Sequence, residues 1–590
     1  MLKKSTRILS TLSAASLVVS AATVALAQPA STAQPGTAQP GTAQPAPGQP
    51  APTAQPAPTA APTAGQPAEP GSAALAVPEA PPTPPTPGAS KDAATAPPLP
   101  KAFADEAALA LRDGGTGEPV AGWHGMFFLR DPDGNFRLSP SGDMQLDFHS
   151  YLGPGVSSES TARGGAGMAP RFFVRRLRVG MHGEFLKRWS FAANFDISPN
   201  LANGSGTDEV SAAPAGVDPT SDTARYRPVQ GLDAGIGLRD AWVNYSLCPC
   251  LNFQLGQFRV PFGMENRTAD TATPLLERSI STRTFTVPGQ REAGIMLWGD
   301  FGDDIFTYEL AVVGGDGQNR ATVDVAPDFV GRLLVAPFKS FKLVKDVRIG
   351  VSARHGQRDP EAVGYDVVPM STNQGFVMWS STYKNADGKV THIIPSGAQN
   401  IIGGEVYLPI GPVDLAAEAY YAAYHTREGL DGFQLTNTER LGTLSGVGMT
   451  SWLTWWAFGD QRIGTTIGRQ KPAKLNLKKK ADLKRGLEVT ALFSAIIAGY
   501  DGNSRGGADD EKTPASSGNP ATDIDIFQFG AALNYWHTKS VRLSFNYSTY
   551  FTPGSGSAEN LAVVPGNVYG DKDPEAHLLH EIGTRAQLAY

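Results

Sequence analysis

From about Trp123 to Tyr590 the chain consists of runs of roughly eight to twelve residues in which apolar positions alternate with polar or small ones. A period of two predicts β-strands with one apolar and one polar face. Between Arg176 and Phe185, one face carries Leu177, Val179, Met181 and Phe185, and the other Arg176, Arg178, Gly180, His182 and Glu184. Between Asp346 and Arg354, Val347, Ile349, Val351 and Ala353 oppose Arg348, Gly350, Ser352 and Arg354. Between Val541 and Ser548, Val541, Leu543, Phe545 and Tyr547 oppose Arg542, Ser544, Asn546 and Ser548. Gly-, Asp-, Asn- and Pro-rich stretches separate the runs. Some are tight, such as Gly411-Pro412 and Cys248-Pro249-Cys250, and others are long polar insertions, such as 198–235 and 500–521.

A soluble sandwich would bury the apolar face against a second sheet. A membrane barrel turns that face to lipid and keeps the polar face in its lumen. Two features favour the barrel. Trp189, Trp242, Trp298, Trp379, Trp452, Trp455, Trp456 and Trp536 fall at or near strand ends, where an interfacial aromatic girdle is expected. The final run, His580 to Tyr590, puts Ile582, Thr584, Ala586, Leu588 and Tyr590 on one face, which is similar to the C-terminal strand signal read by the outer-membrane barrel assembly machinery. Short turns on one rim and long loops on the other complete the pattern. The expected fold is all-β: a transmembrane antiparallel β-barrel in contact with outer-membrane lipids.

The N-terminal part follows other rules. Residues 1–27 combine a basic start (Lys3, Lys4, Arg7), an apolar stretch and Ala25-Leu26-Ala27, the pattern of a cleaved signal peptide. Residues 28–100 are dominated by Pro, Ala, Thr and Gln, without aromatics. Such a segment buries too little apolar surface to offset its conformational entropy, so it reads as a disordered tether. At about 3.1 Å per residue its reach is on the order of 200 Å, enough for a spacer that contacts the cell wall, although a passive low-complexity extension is the simpler reading. Residues 101–113 have helical propensity within a short lead-in at 101–122, and 123–590 form the barrel.

The formal net charge of −6 gives no sign of a nucleic-acid partner. Two cysteines cannot complete a four-ligand zinc site, and Cys248 and Cys250 read as a turn holding two thiols or a labile bridge. No nucleophile elbow or zinc-helix motif is present and the nine histidines are scattered, so no metal or cofactor is expected. A pore, an adhesin or wall-anchoring barrel, and a secreted β-rich enzyme remain as functional classes, in that order.

One series of motifs favours the pore. It comprises Arg175-Arg176-Leu177-Arg178 with Gly183, Leu238-Arg239-Asp240-Ala241-Trp242-Val243, Gly256-Gln257-Phe258-Arg259-Val260-Pro261-Phe262, Glu277-Arg278-Ser279, Pro288-Gly289-Gln290-Arg291-Glu292-Ala293-Gly294, Gly331-Arg332-Leu333, the Gly411-Pro412 hairpin with Glu405 and Glu418 on its arms, and Asn534-Tyr535-Trp536. In order and spacing the series resembles the phosphate-selective porin family (porins O and P). The resemblance implies about 16 strands, a homotrimer, and a loop folded inward, for which Pro261–Gly289 is the candidate by position. It also implies passive diffusion of small anionic solutes such as phosphate or polyphosphate.

Guanidinium groups suit such solutes, because paired N–H donors match phosphate oxygens. Arg176, Arg178, Arg332, Arg348 and Arg354 are lumen candidates by strand phase, and Arg259, Arg278 and Arg291 lie in motifs near the expected constriction. Each has a plainer alternative, a solvated loop residue or a rim residue that pairs with a nearby acid. Leu492 stands where the family's strand motif usually places Arg, so one basic lumen position is lost. The basic run from Lys471 to Arg485 could funnel anions, but reads more simply as a solvated loop or a lipid-phosphate contact. A barrel predicts heat-modifiable migration: in detergent gels the unheated protein is expected to run at a different apparent mass from the boiled protein. A single band position under both conditions would favour a soluble sandwich.

Overall fold

Alternating residues on a strand point to opposite faces, and a strand in hydrocarbon has no water to satisfy its N–H and C=O groups. The computed structural model meets both conditions with a closed antiparallel sheet of sixteen strands. These are β1 (Phe136–Leu152), β2 (Arg171–Phe185), β3 (Trp189–Asp196), β4 (Gly237–Cys248), β5 (Leu251–Arg259), β6 (Arg291–Phe301), β7 (Phe306–Val313) and β8 (Asp328–Val335). They continue with β9 (Arg348–Arg358), β10 (Val390–Ile410), β11 (Val413–Leu430), β12 (Leu441–Phe458), β13 (Gly486–Asp501), β14 (Ile524–Trp536), β15 (Val541–Phe551) and β16 (Leu578–Ala589). Each strand pairs with its sequence neighbours, and β16 returns to β1 with Ala586 opposite Leu146, which leaves no open edge.

The structure describes residues 120–123, 127–152, 170–198, 236–286, 290–302, 304–320, 325–341, 344, 346–373, 377–379, 381–384, 390–430, 433, 435, 439–459, 485–506, 524–553 and 578–590. The segment 1–27, the tether 28–100, the helix expected at 101–113, most of the loops 198–235 and 500–521, and the basic run short of Arg485 lie outside them. Ahead of β1, Ala121–Trp123 and Phe127–Arg130 form a hairpin that pairs onto the start of that strand. Tyr590 exchanges backbone hydrogen bonds with Gly142, and its ring meets Phe127 edge-on at 6.0 Å.

Burial is inverted relative to a soluble protein. Val179, Met181, Ile349, Val351, Leu543 and Phe545 are exposed on the outer wall, while Arg176, Arg348, Ser352, Arg354, Arg542 and Ser544 are buried inside. The alternation expected from the sequence therefore holds in all three runs, apart from Val347, which is buried just before β9 begins. Two local irregularities matter. Opposite Gln145 and Leu146 of β1 the register of β2 jumps from Arg176 to Val174, so Arg175 is an extra residue. Opposite Asn194 and Phe195 of β3 the register of β4 jumps from Asp240 to Leu238, so Arg239 is extra. A bulge breaks strict alternation and re-aims the side chain beside it.

Two expectations need correction. The tryptophans do not form one girdle. Trp189 and Trp455 are exposed on the outside, whereas Trp379, Trp452, Trp456 and Trp536 are buried within the barrel. Trp456 and Trp536 stay inside because each indole N–H reaches a lumen carboxylate, Asp414 at 3.1 Å and Glu488 at 2.9 Å. The rims are also less sorted than expected, because the connection from β12 to β13 leaves from the rim of the tight Gly411-Pro412 turn. On that rim Cys248 and Cys250 are joined as a disulfide.

The lipid face gives a direct test. Phe545→Arg places a charge near the middle of β15 on the outer wall, and is expected to lower unfolding stability by about 2–4 kcal/mol in denaturant titrations of vesicle-inserted protein. An unchanged midpoint would show that this face does not meet lipid.

Candidate constriction

Between β5 and β6 the chain leaves the wall, and nearly every described residue from Val260 to Thr286 is buried. Pro261–Gly289, the segment expected to fold inward, does so over its described length. It carries two short helices, α1 (Met264–Arg267) and α2 (Ile280–Phe285). The entry turn needs Gly263, which has φ +67° and where a Cβ would lie 3.3 Å from a Glu418 oxygen.

A segment inside a barrel must find partners for its own backbone groups. Glu418 of β11 accepts hydrogen bonds from the N–H groups of Met264 (2.6 Å) and Glu265 (3.2 Å). Glu265 in turn accepts from the N–H (3.0 Å) and hydroxyl (2.5 Å) of Ser279 at the start of α2. Gln528 of β14 accepts from the N–H of Ile280 at 2.9 Å. Loop carbonyls are met mainly by guanidinium groups. Arg259 donates to Asn266 (2.9 Å), Arg278 to Thr268 (2.5 Å), Arg542 to Thr273 (2.8 Å) and Arg585 to Leu276 (2.6 Å). Apolar packing completes the seat. Met264 and Leu275 sit among Tyr407, Ala416, Trp452, Leu492 and Ala532. Gly530 leaves the room this requires, since a Cβ there would lie 2.7 Å from a Leu275 methyl. Leu492 therefore supports the loop from the lumen side.

Ion pairs tie the same loop to the opposite wall. Asp270 meets Arg278 and Arg178 at 2.6 Å, Arg239 at 3.1 Å, Arg259 at 3.5 Å and Arg176 at 3.8 Å. Glu277 meets Arg175 at 2.9 Å, and Arg176 and Arg585 at 2.7 Å. Arg585 also bridges to Asp147 (2.7 Å), Arg178 to Asp196 (2.8 Å) and Asp143 (3.8 Å), and Arg291 to Asp240 (3.0 Å). The ion pairs just named join eight guanidinium groups (Arg175, Arg176, Arg178, Arg239, Arg259, Arg278, Arg291 and Arg585) to six carboxylates (Asp143, Asp147, Asp196, Asp240, Asp270 and Glu277). Burial opposes the charged form of Asp270. The surrounding arginines, Arg278 foremost, outweigh burial and hold its carboxyl well below the usual range. Glu277 is held low in the same way against its own burial, by Arg175, Arg176 and Arg585. A depressed carboxylate contributes stability above its ordinary range and loses it only as pH falls through the depressed value, so this network is intact at neutral pH.

All eight arginines singled out in the sequence face the interior. Arg176, Arg178, Arg259, Arg278 and Arg291 belong to the network just described. Arg332 pairs with Glu405 (2.5 Å) and Glu309 (3.2 Å), and Arg354 with Asp328. The Arg348 guanidinium lies over the Tyr407 ring at 5.2 Å. They are not an open ring of charge, because seven of them are ion-paired with carboxylates. Sequence reasoning missed Arg175 and Arg239 because both occupy bulges. It passed over Arg585, which strand phase alone would have placed inside. It also missed a second inward segment after β9, where Met370–Ser371 pairs with Val377–Trp379 and Val363, Val367, Met370 and Trp379 are buried.

The family model described as phosphate-selective porin O and P matches residues 158–467. No protein of curated function matches the chain. Among solved structures, the outer-membrane expressed OmpT of Vibrio cholerae is 8% identical at a TM-score of 0.41, over 77% of this chain and 98% of its own. The outer membrane channel DcaP of Acinetobacter baumannii is 11% identical at 0.39, over 77% and 98%. The anion-selective porin from Comamonas acidovorans is 11% identical at 0.38, over 77% and 100%.

Asp270 is the hub on which the loop's seating can be probed. Asp270→Asn leaves several buried guanidinium groups short of a counter-charge, and is expected to lower stability by about 3 kcal/mol or more, read as an earlier loss of the folded gel band on heating. A variant as heat-resistant as the parent would mean that the network does not hold the loop.

Proposed function

Because the chain belongs to the phosphate-selective porin O and P family, and is therefore a porin of the bacterial outer membrane, we propose that it passes small hydrophilic anions by passive diffusion. The observation that carries this reading is the gathering of guanidinium groups on one side of the inward loop, where five meet Asp270 and three meet Glu277. Guanidinium groups gathered between low-dielectric walls raise the local anion concentration without binding the solute tightly. Arg176, Arg178, Arg259, Arg278 and Arg291 contribute to that field chiefly through the network, and Arg332, Arg348 and Arg354 line the path beyond it. Phosphate and polyphosphate are the proposed solutes. Their preference over chloride is modest, because most of the guanidinium donors are committed to carboxylates and Leu492 supplies no charge.

The rest of the reading is also ours. Residues 1–27 are removed after export, 28–100 form a spacer able to contact the cell wall, 101–122 lead in, and 123–590 form the pore. The barrel works as a homotrimer in outer-membrane lipid, and the assembly machinery engages β16 during insertion. In planar bilayers under a tenfold KCl gradient, the purified protein is expected to give a reversal potential of anion-selective sign, with chloride current reduced by added phosphate. A cation-selective potential would refute the anion reading, and the absence of channels would refute the pore.

A further inference from the structure

Among the arginines of the inward loop, Arg283 on α2 stands apart. It is only partly buried, whereas Arg267 and Arg278 are almost fully buried. Its guanidinium donates to two neutral oxygens, the Ser371 hydroxyl at 3.0 Å and the Asn373 side-chain carbonyl at 3.3 Å. No carboxylate pairs with it among the described residues. Two of its five N–H donors are engaged by these contacts, and among the described residues no carboxylate offsets its charge.

Its surroundings are built rather than incidental. Ser371 and Asn373 come from the second inward segment, so Arg283 lies where the two inward segments meet. Thr372 between them is held by the Tyr151 hydroxyl at 2.5 Å, and the N–H of Asn373 donates to the Tyr550 hydroxyl at 3.3 Å. Tyr550 donates to Glu581 at 2.8 Å, and His149 meets the other oxygen of that carboxylate at 3.0 Å. The nearby acid is thus engaged behind the site by Tyr550 and His149.

We propose that Arg283, with Ser371 and Asn373, is the binding site for a small oxyanion in transit, and that the carboxylate-paired arginines position the loop. The distinction is energetic. An anion approaching Arg178 or Arg278 must displace a buried carboxylate, and breaking a buried ion pair is strongly unfavourable. At Arg283 it displaces one amide oxygen and one hydroxyl. A phosphate or carboxylate group then gains a charge-assisted pair of N–H bonds, which neutral oxygens do not match. The Ser371 hydroxyl and, on rotation of the side-chain amide, the Asn373 NH2 group are further donors to the same anion.

This inference rests on the anion reading above, and the experiment separates the two. Parent, Arg283→Gln and Arg283→Lys are reconstituted in planar bilayers, with heat-modifiable migration as the check on folding. Chloride current is then titrated with inorganic phosphate. Arg283→Gln is expected to raise the half-blocking phosphate concentration by about tenfold or more and to move the reversal potential toward zero. Arg283→Lys is expected to keep the sign of selectivity, with weaker block. An anion-selective parent whose block is unchanged in folded Arg283→Gln overturns this inference alone. A parent without anion preference overturns both.

Discussion

Hydrocarbon offers no hydrogen-bond partner, and the whole structure answers that fact. Sixteen strands satisfy one another only because β16 pairs with β1, so the wall has no unpaired edge. The same constraint reappears inside. A loop drawn into the lumen brings its own N–H and C=O groups, and these are met by side chains from the strands around it. Glu418 and Gln528 receive N–H groups, while Arg542, Arg585 and Asn534 reach carbonyls. The polar face of the wall is thus shaped as much by the loop it holds as by the solute it admits.

Arginine suits this double task. One guanidinium can clamp a carbonyl and a carboxylate at once, as Arg585 does with Leu276, Asp147 and Glu277. The carboxylates keep so many buried cations from repelling one another. Structural and electrostatic roles therefore overlap in the same residues. A substitution in the network is expected to change stability and selectivity together, while an arginine held by neutral oxygens, such as Arg283, is expected to change selectivity with less effect on the fold.

The sequence by itself determined the barrel, the phase of its strands and, through that phase, the inward side of Arg176, Arg178, Arg332, Arg348 and Arg354, while Arg259, Arg278 and Arg291 were legible only from the motif series. A period of two is a local property, and lipid on one side with water on the other makes it readable without any contact map. The inward position of Pro261–Gly289 followed from family motif order. Three things were decided only by the tertiary structure. The bulges at Arg175 and Arg239 depend on register with a partner strand, which alternation along one strand cannot reveal. The four interior tryptophans sit near strand ends like girdle residues, and only their inner partners show that they face the lumen. The pairing of each arginine is the largest difference, since Asp270 and Glu277 are far in sequence from Arg176 and Arg585. Which guanidinium groups are neutralised and which remain open depends on a loop crossing the barrel to reach them, and no local pattern encodes that distance.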